Sequence, residues 1–162
     1  MKNMIRSIRQ IAADFDALSA SDFNLWNVDA NGIERLHSLT EELVELNAPD
    51  EIAEILFNCI ERLSRSDEID PRYDLGTPGS LVHALEKLPN YREHLIASVK
   101  RYPTPLTVWM INRILNMTGD TQEREFWRGL MDECLNHPML SPLAREDTEM
   151  FLKHQSRLGK FT

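Results

Sequence analysis

The chain of 162 residues has only two cysteines, Cys59 and Cys134. Each falls on the apolar side of a helical pattern, beside Leu56 and Ile60 or beside Met131 and Leu135. That reads as two free, buried thiols in a reducing cytoplasm. No apolar run comes near the roughly 18 residues that a membrane span needs. The basic N-terminus MKNMIRSIRQ is not followed by an apolar h-region, because Arg9, Gln10, Asp14 and Asp16 interrupt it, so no secretory signal is expected. The alternating apolar and polar pattern of β-strands is missing as well. Positive charge is short: 18 basic against 26 acidic side chains leave a net charge of −8. The deficit lies in residues 1–75, which carry 16 acidic and 7 basic side chains, whereas residues 76–162 carry 10 and 11. So acidic a half argues against direct binding of DNA or RNA, whose phosphates require lysine and arginine. It suits a basic protein partner. A solvated acidic surface kept for solubility is the plainer account of the same charge.

What is present is helical periodicity. At 42% apolar and 27% charged residues, the composition fits one globular domain over residues 1–162 with a real core. Ile5, Ile8, Ile11, Ala12, Phe15 and Leu18 recur at spacings of three and four, as do Ile33, Leu36, Leu39, Leu43 and Leu46, and again Ile52, Ile55, Leu56, Cys59, Ile60 and Leu63. Leu81 to Leu88 form a short helix ended by Pro89, and Tyr91 to Val99 another ended before Pro103. Three more follow: one after Pro105, one after Asp120 or Thr121 with Phe126, Trp127, Leu130 and Met131 on its stripe, and one after Pro142. The expected fold is all-α, an irregular HEAT- or armadillo-like array of about eight antiparallel helices, without a clean repeat. A compact irregular bundle is the alternative. Two connections are long, roughly Ser19 to Asn31 and Ser64 to Gly79, and loops of that length in a compact domain often carry function.

The second of these contains DPRYDLGTPGS, two glycines ahead of a helix. A Walker-type phosphate loop requires a lysine directly after its last glycine, but Gly79 is followed by Ser80 and Leu81. A dinucleotide loop requires a preceding strand and a GxGxxG spacing. Helix initiation fits the residues better: Thr77 as N-cap, Pro78 at the first helical position, Gly76 supplying backbone freedom. Other chemistry finds little support. Glu34 and His37 resemble one half of a di-iron site with no second half. No Gly-x-Ser-x-Gly elbow occurs, and Asp67, Glu68, Asp70 and Asp74 lack the glycine and terminal glutamate of an EF-hand. His37 and His83 remain only as isolated candidates for a hydrolase. The expectation is a protein with no enzymatic activity, no metal and no cofactor.

Binding remains. Glu41, Glu42, Glu45, Asp50, Glu51 and Glu54 gather at the end of the second helix and the start of the third. Solvated helix faces are the plainer explanation of these helix acids. In the long loop, Asp67, Glu68, Asp70 and Asp74 surround Tyr73, and an aromatic amid charges is the composition of an interaction hot spot. Trp26, in the first long connection, is either a second anchor or a plug in the core. The candidate partner-binding residues are therefore Asp67, Glu68, Asp70, Tyr73, Asp74, Trp26, Glu41 and Glu45.

The run LWNVDANGIERLHSLTEELVELNAPDEIAEILFNCIERLS, continued by YDLGTPGSLVHALEKLPNYREHL and PTPLTVWMINRILN, resembles small helical immunity proteins of contact-dependent growth inhibition and other polymorphic toxin systems. The similarity covers roughly residues 25 to 155 and rests on the cadence of the helices and on the Asp-Leu-Gly-Thr-Pro-Gly-Ser and Pro-Thr-Pro-Leu-Thr segments. It implies a cytoplasmic, non-enzymatic monomer that binds the toxic C-terminal domain of a cognate effector in a 1:1 complex and blocks its active site or its access to substrate. Such toxins are often nucleases with basic surfaces. The competing expectation is a helical-array adaptor or regulator of an ordinary cellular protein.

Overall fold

The computed structural model describes residues 4–24, 26–76 and 79–159. These residues form nine α-helices and one 3₁₀ turn and contain no strand, so the all-α expectation holds. The helices are α1 (Ile8–Ala17), α2 (Gly32–Val44), α3 (Pro49–Ser64), α4 (Pro71–Asp74), α5 (Gly79–Glu86), α6 (Tyr91–Arg101), α7 (Pro105–Met117), α8 (Thr121–Cys134) and α9 (Pro142–Leu158). The 3₁₀ turn, Ala20–Phe23, lies in the first long connection.

Local chemistry explains where the helices begin. Ser7 and Gln10 bond each other's backbone N–H groups reciprocally at the start of α1, and Thr104 and Thr107 do the same at the start of α7. Asp120 and Ser141 accept from first-turn N–H groups of α8 and α9. Proline is the first residue of α3, α4, α7 and α9, where its missing N–H would have no helical partner anyway. The expected cap at Thr77 and Pro78 lies outside the described residues. Gly76, however, has φ +84°, the left-handed conformation expected of it.

Residue contacts group the chain into two compact units, Met1–His94 and Leu95–Thr162. In the first, α1 and α5 both pack on α2, and α3 packs on α1 and α5. The chief neighbours of α2 are α1 and α5 rather than α3, the helix that follows it in sequence. The reason is α5. Leu81, Val82, Ala84 and Leu85 are all buried, so this short helix is apolar over most of its surface and needs cover on more than one side. The core gathers Ile11, Phe15, Leu36, Leu43, Ile52, Leu56, Phe57, Ile60, Leu81 and Leu85. Ile5 precedes α1 and is exposed, and Ile33 is also exposed. Both were expected in apolar stripes.

In the second unit α7 packs against α8 and α9, which also pack against each other. Leu106, Val108, Met110, Ile111, Ile114 and Leu115 are buried around most of α7, the pattern of a helix covered on several sides. A polar connection crosses this core: Gln155 donates to the side-chain oxygens of Asn112 and Asn116, each at 2.8 Å, and accepts from Arg124. Phe126, expected on the buried stripe of α8, is exposed and meets Trp127 edge to face.

Candidate partner-binding surface

The division into units follows the charge. Residues 1–94 carry 18 acidic and 9 basic side chains, a balance of −9, and residues 95–162 carry 8 and 9, a balance of +1. Every residue nominated for partner binding lies in the acidic unit.

The connection from Ser66 to Gly76 is anchored from within. Ile69, Pro71 and Leu75 are buried and tie the segment to the core at three points. Between them stands the single turn of α4. Asp70 is its N-cap: its carboxylate accepts from the backbone N–H of Arg72 at 2.9 Å and from the Arg72 guanidinium at 3.1 and 3.2 Å. Asp74 turns back to accept from the backbone N–H of Asp70 at 2.7 Å. The carboxylates of Asp70 and Asp74 therefore hold the loop itself together, and both residues are only half exposed. Asp67 and Glu68 are exposed, and their carboxylates face solvent. Tyr73 is 70% exposed, with the Arg72 guanidinium 5.4 Å from its ring centre. The loop thus offers an exposed aromatic ring and two exposed carboxylates, without a partner among the described residues, on a fixed support.

The sequence left two places open for Trp26, and it is 95% exposed, outside the core. Its segment is shaped by short bonds: Asn24 accepts through its side chain from the N–H of Trp26 at 2.9 Å, and Asn27 from that of Asp29 at 3.1 Å. Backbone bonds from Asn27 to Asn24 and from Ala30 to Asn27 close two successive turns. Val28, not singled out from the sequence, is 98% exposed beside it. Glu41 and Glu45 project from one side of α2. Glu41 meets His37 at 3.1 Å, and Glu45 is the C-cap residue, exposed. On the other side of α2, Glu42 accepts two bonds from the Arg6 guanidinium at 2.7 and 2.6 Å, and Arg6 also bonds Asp14. The Arg6 guanidinium beside it holds the Glu42 carboxyl below the usual carboxylate range.

His37 is exposed and spent on Glu41, and His83 is exposed on α5. In the second unit a pocket of about 280 Å³ is lined by Val99, Lys100, Leu130, Cys134 and His137. His137 Nδ1 accepts from the N–H of Met139 at 3.0 Å, and its Nε2–H donates to the carbonyl of Lys100 at 2.9 Å. The Cys134 thiol donates to the carbonyl of Leu130, and burial pushes it up to about 12. Both groups serve the fold. Among the described residues no group of three or more His, Cys, Asp and Glu is placed to hold a metal ion. No helix among them is long and apolar enough to cross a membrane. The chain matches no protein-family model, no curated protein and no solved structure.

Proposed function

We propose that this chain is an immunity protein: it binds the toxic domain of a cognate effector, of nuclease type with a basic surface, and neutralises it. The observation that carries the reading is Tyr73, held out of the core on the one-turn helix α4 with the unpaired carboxylates of Asp67 and Glu68 nearby in the chain. An acidic face presents carboxylates where a nuclease expects phosphates. Complementary charge then accelerates encounter and sets specificity. Protection from a toxin requires a Kd near 1 nM or lower, about −12 kcal/mol, more than exposed charge supplies. The aromatic anchors Tyr73 and Trp26 provide the apolar contribution. Asp70 and Asp74 shape the loop, and Glu41 and Glu45 extend the acidic surface.

The test is co-expression with the toxin domain encoded immediately upstream, followed by co-purification and growth rescue. A salt-sensitive 1:1 complex with rescue supports the reading, and Tyr73→Ala with Asp67→Lys and Glu68→Lys is then expected to abolish rescue while leaving the helical circular dichroism unchanged. Absence of both complex and rescue removes it and leaves a helical adaptor for another basic partner.

A further inference from the structure

We propose that the outer flank of α2, with the loop leading into it, is a docking surface for a basic polypeptide segment that has an apolar side. The inference rests on the reading above and says where the cationic partner sits.

Three faces of α2 differ in what they meet. Leu36, Leu39, Thr40 and Leu43 are buried against the core. One flank is occupied: Arg35 pairs with Asp22 at 3.3 Å, and Glu42 is clasped by Arg6. The opposite flank is partly open. At about 100° per residue, Ile33, His37 and Val44 fall within about 40° of one another. Ile33 is 46% and Val44 42% exposed. Glu41 and Glu45, both exposed, lie on the adjoining solvent side of the helix, whereas Glu34 lines a pocket with Arg6 and Glu42.

This flank is acidic and supplies no lysine or arginine of its own. An exposed helix face is ordinarily laced with glutamate–lysine pairs one turn apart. Here no exposed residue of α2 is lysine or arginine, and the pairing along this flank is His37 with Glu41. Glu41 and Glu45 stand one turn apart with like charge, a destabilising spacing. Glu45 also sits at the negative end of the helix, where an anion is unfavourable. A cationic segment lying along α2 relieves both. Its apolar side meets Ile33 and Val44, and Trp26 and Val28, fully exposed just ahead of the helix, supply the anchor. A lysine or arginine of the partner stacks on the Trp26 ring.

Two probes test this by amide and indole NMR shifts of the full chain: the toxin domain named above, and a synthetic amphipathic helix of leucine and lysine. The expected result is that the peptide shifts Trp26 and residues 26–45, that the toxin domain shifts these together with the Tyr73 loop, that the shifts fade at about 0.5 M salt, and that binding weakens by about tenfold or more in Glu41→Lys/Glu45→Lys. That variant is expected to keep or raise the Tm, which separates lost binding from lost fold. A toxin complex whose footprint lies outside residues 24–45 overturns this inference and leaves the proposed function standing. If no toxin complex forms, the peptide decides: a footprint on this flank supports the docking surface while the immunity reading falls, and absence of binding, or binding elsewhere, overturns it.

Discussion

The Arg62 guanidinium reaches from α3 to the carbonyl oxygen of Leu18, at 2.6 Å, and with its second nitrogen to that of Phe15 at 2.7 Å. It thereby adds donors at the C-terminal end of α1, where the Phe15 carbonyl also accepts from the Leu18 N–H. The device recurs: Arg124 donates to the carbonyl of Leu115 near the end of α7, and Arg145 to that of Leu135 at the end of α8. A cation at a helix C-terminus is favourable also through the helix dipole. Arg62→Met keeps the apolar stem and removes the donors. It is expected to cost about 1.5–3 kcal/mol, the range for hydrogen bonds from a charged group, read from urea denaturation. An unchanged midpoint would refute the capping role.

Gly32 has no room for a side chain. A Cβ there would stand 2.5 Å from the carbonyl oxygen of Asp22 and 2.8 Å from the Phe23 ring. Alanine would favour the helix by about 1 kcal/mol, but the backbone of the 3₁₀ turn would have to move. Gly32→Ala is therefore expected to destabilise, by about 1–3 kcal/mol as overpacking does. The control is Gly129→Ala in α8, where the added methyl meets nothing within 4 Å and stability should rise.

The clasp of Arg6 on Glu42 makes stability depend on pH. The carboxyl of Glu42 is lowered from its ordinary 4.5, chiefly by its hydrogen bonds with Arg6. A carboxyl lowered on folding contributes stability that is present above 4.5 and is lost as pH falls through the lowered value. The Tm difference between the native chain and Glu42→Gln is expected to be largest near neutral pH and to vanish in acid. Both side chains are more than a third exposed, so salt should shrink the difference. A difference that grows on acidification would contradict the assignment.

Both thiols are buried, and burial pushes Cys59 and Cys134 up to about 12. At pH 8 neither supplies thiolate. A chromogenic disulfide reagent is expected to find no reactive thiol in the native protein and two after unfolding in guanidinium. Rapid titration of either thiol in the folded chain would place it at the surface.

The helices were legible in the sequence because two signals coincide at most of them: an apolar period and a marked start. Pro105 and Pro142 begin α7 and α9, as read, and Pro49 begins α3. Periodicity gives the direction of a buried face but not its width, which is why Ile33, on a flank of α2, was counted with Leu36 and Leu39. The neighbours of α2 were illegible for another reason: adjacency in sequence suggests adjacency in space, and only the strongly apolar α5 indicates that a non-consecutive helix can take precedence. For the partner-binding residues, composition found the acidic unit and Tyr73. It could not tell a carboxylate consumed by a backbone N–H, as in Asp70 and Asp74, from one offered outward, as in Asp67 and Glu68. Trp26 and Val28 show a similar ambiguity, since an apolar side chain in a loop is equally consistent with a plug and a protrusion.

The four prolines that open helices have an effect on the chain before it folds. Each fixes its own φ near the helical value in the unfolded state and bars the residue before it from helical geometry. Ala48, Asp70, Thr104 and Ser141, the residues in those places, are all non-helical. A helix that starts at such a point lengthens readily only at its far end. The chain thus cannot pass turns backward across these four connections or fuse two neighbouring helices into one rod. Its helical phase, and with it the side on which every later residue emerges, is written at those points independently of tertiary packing.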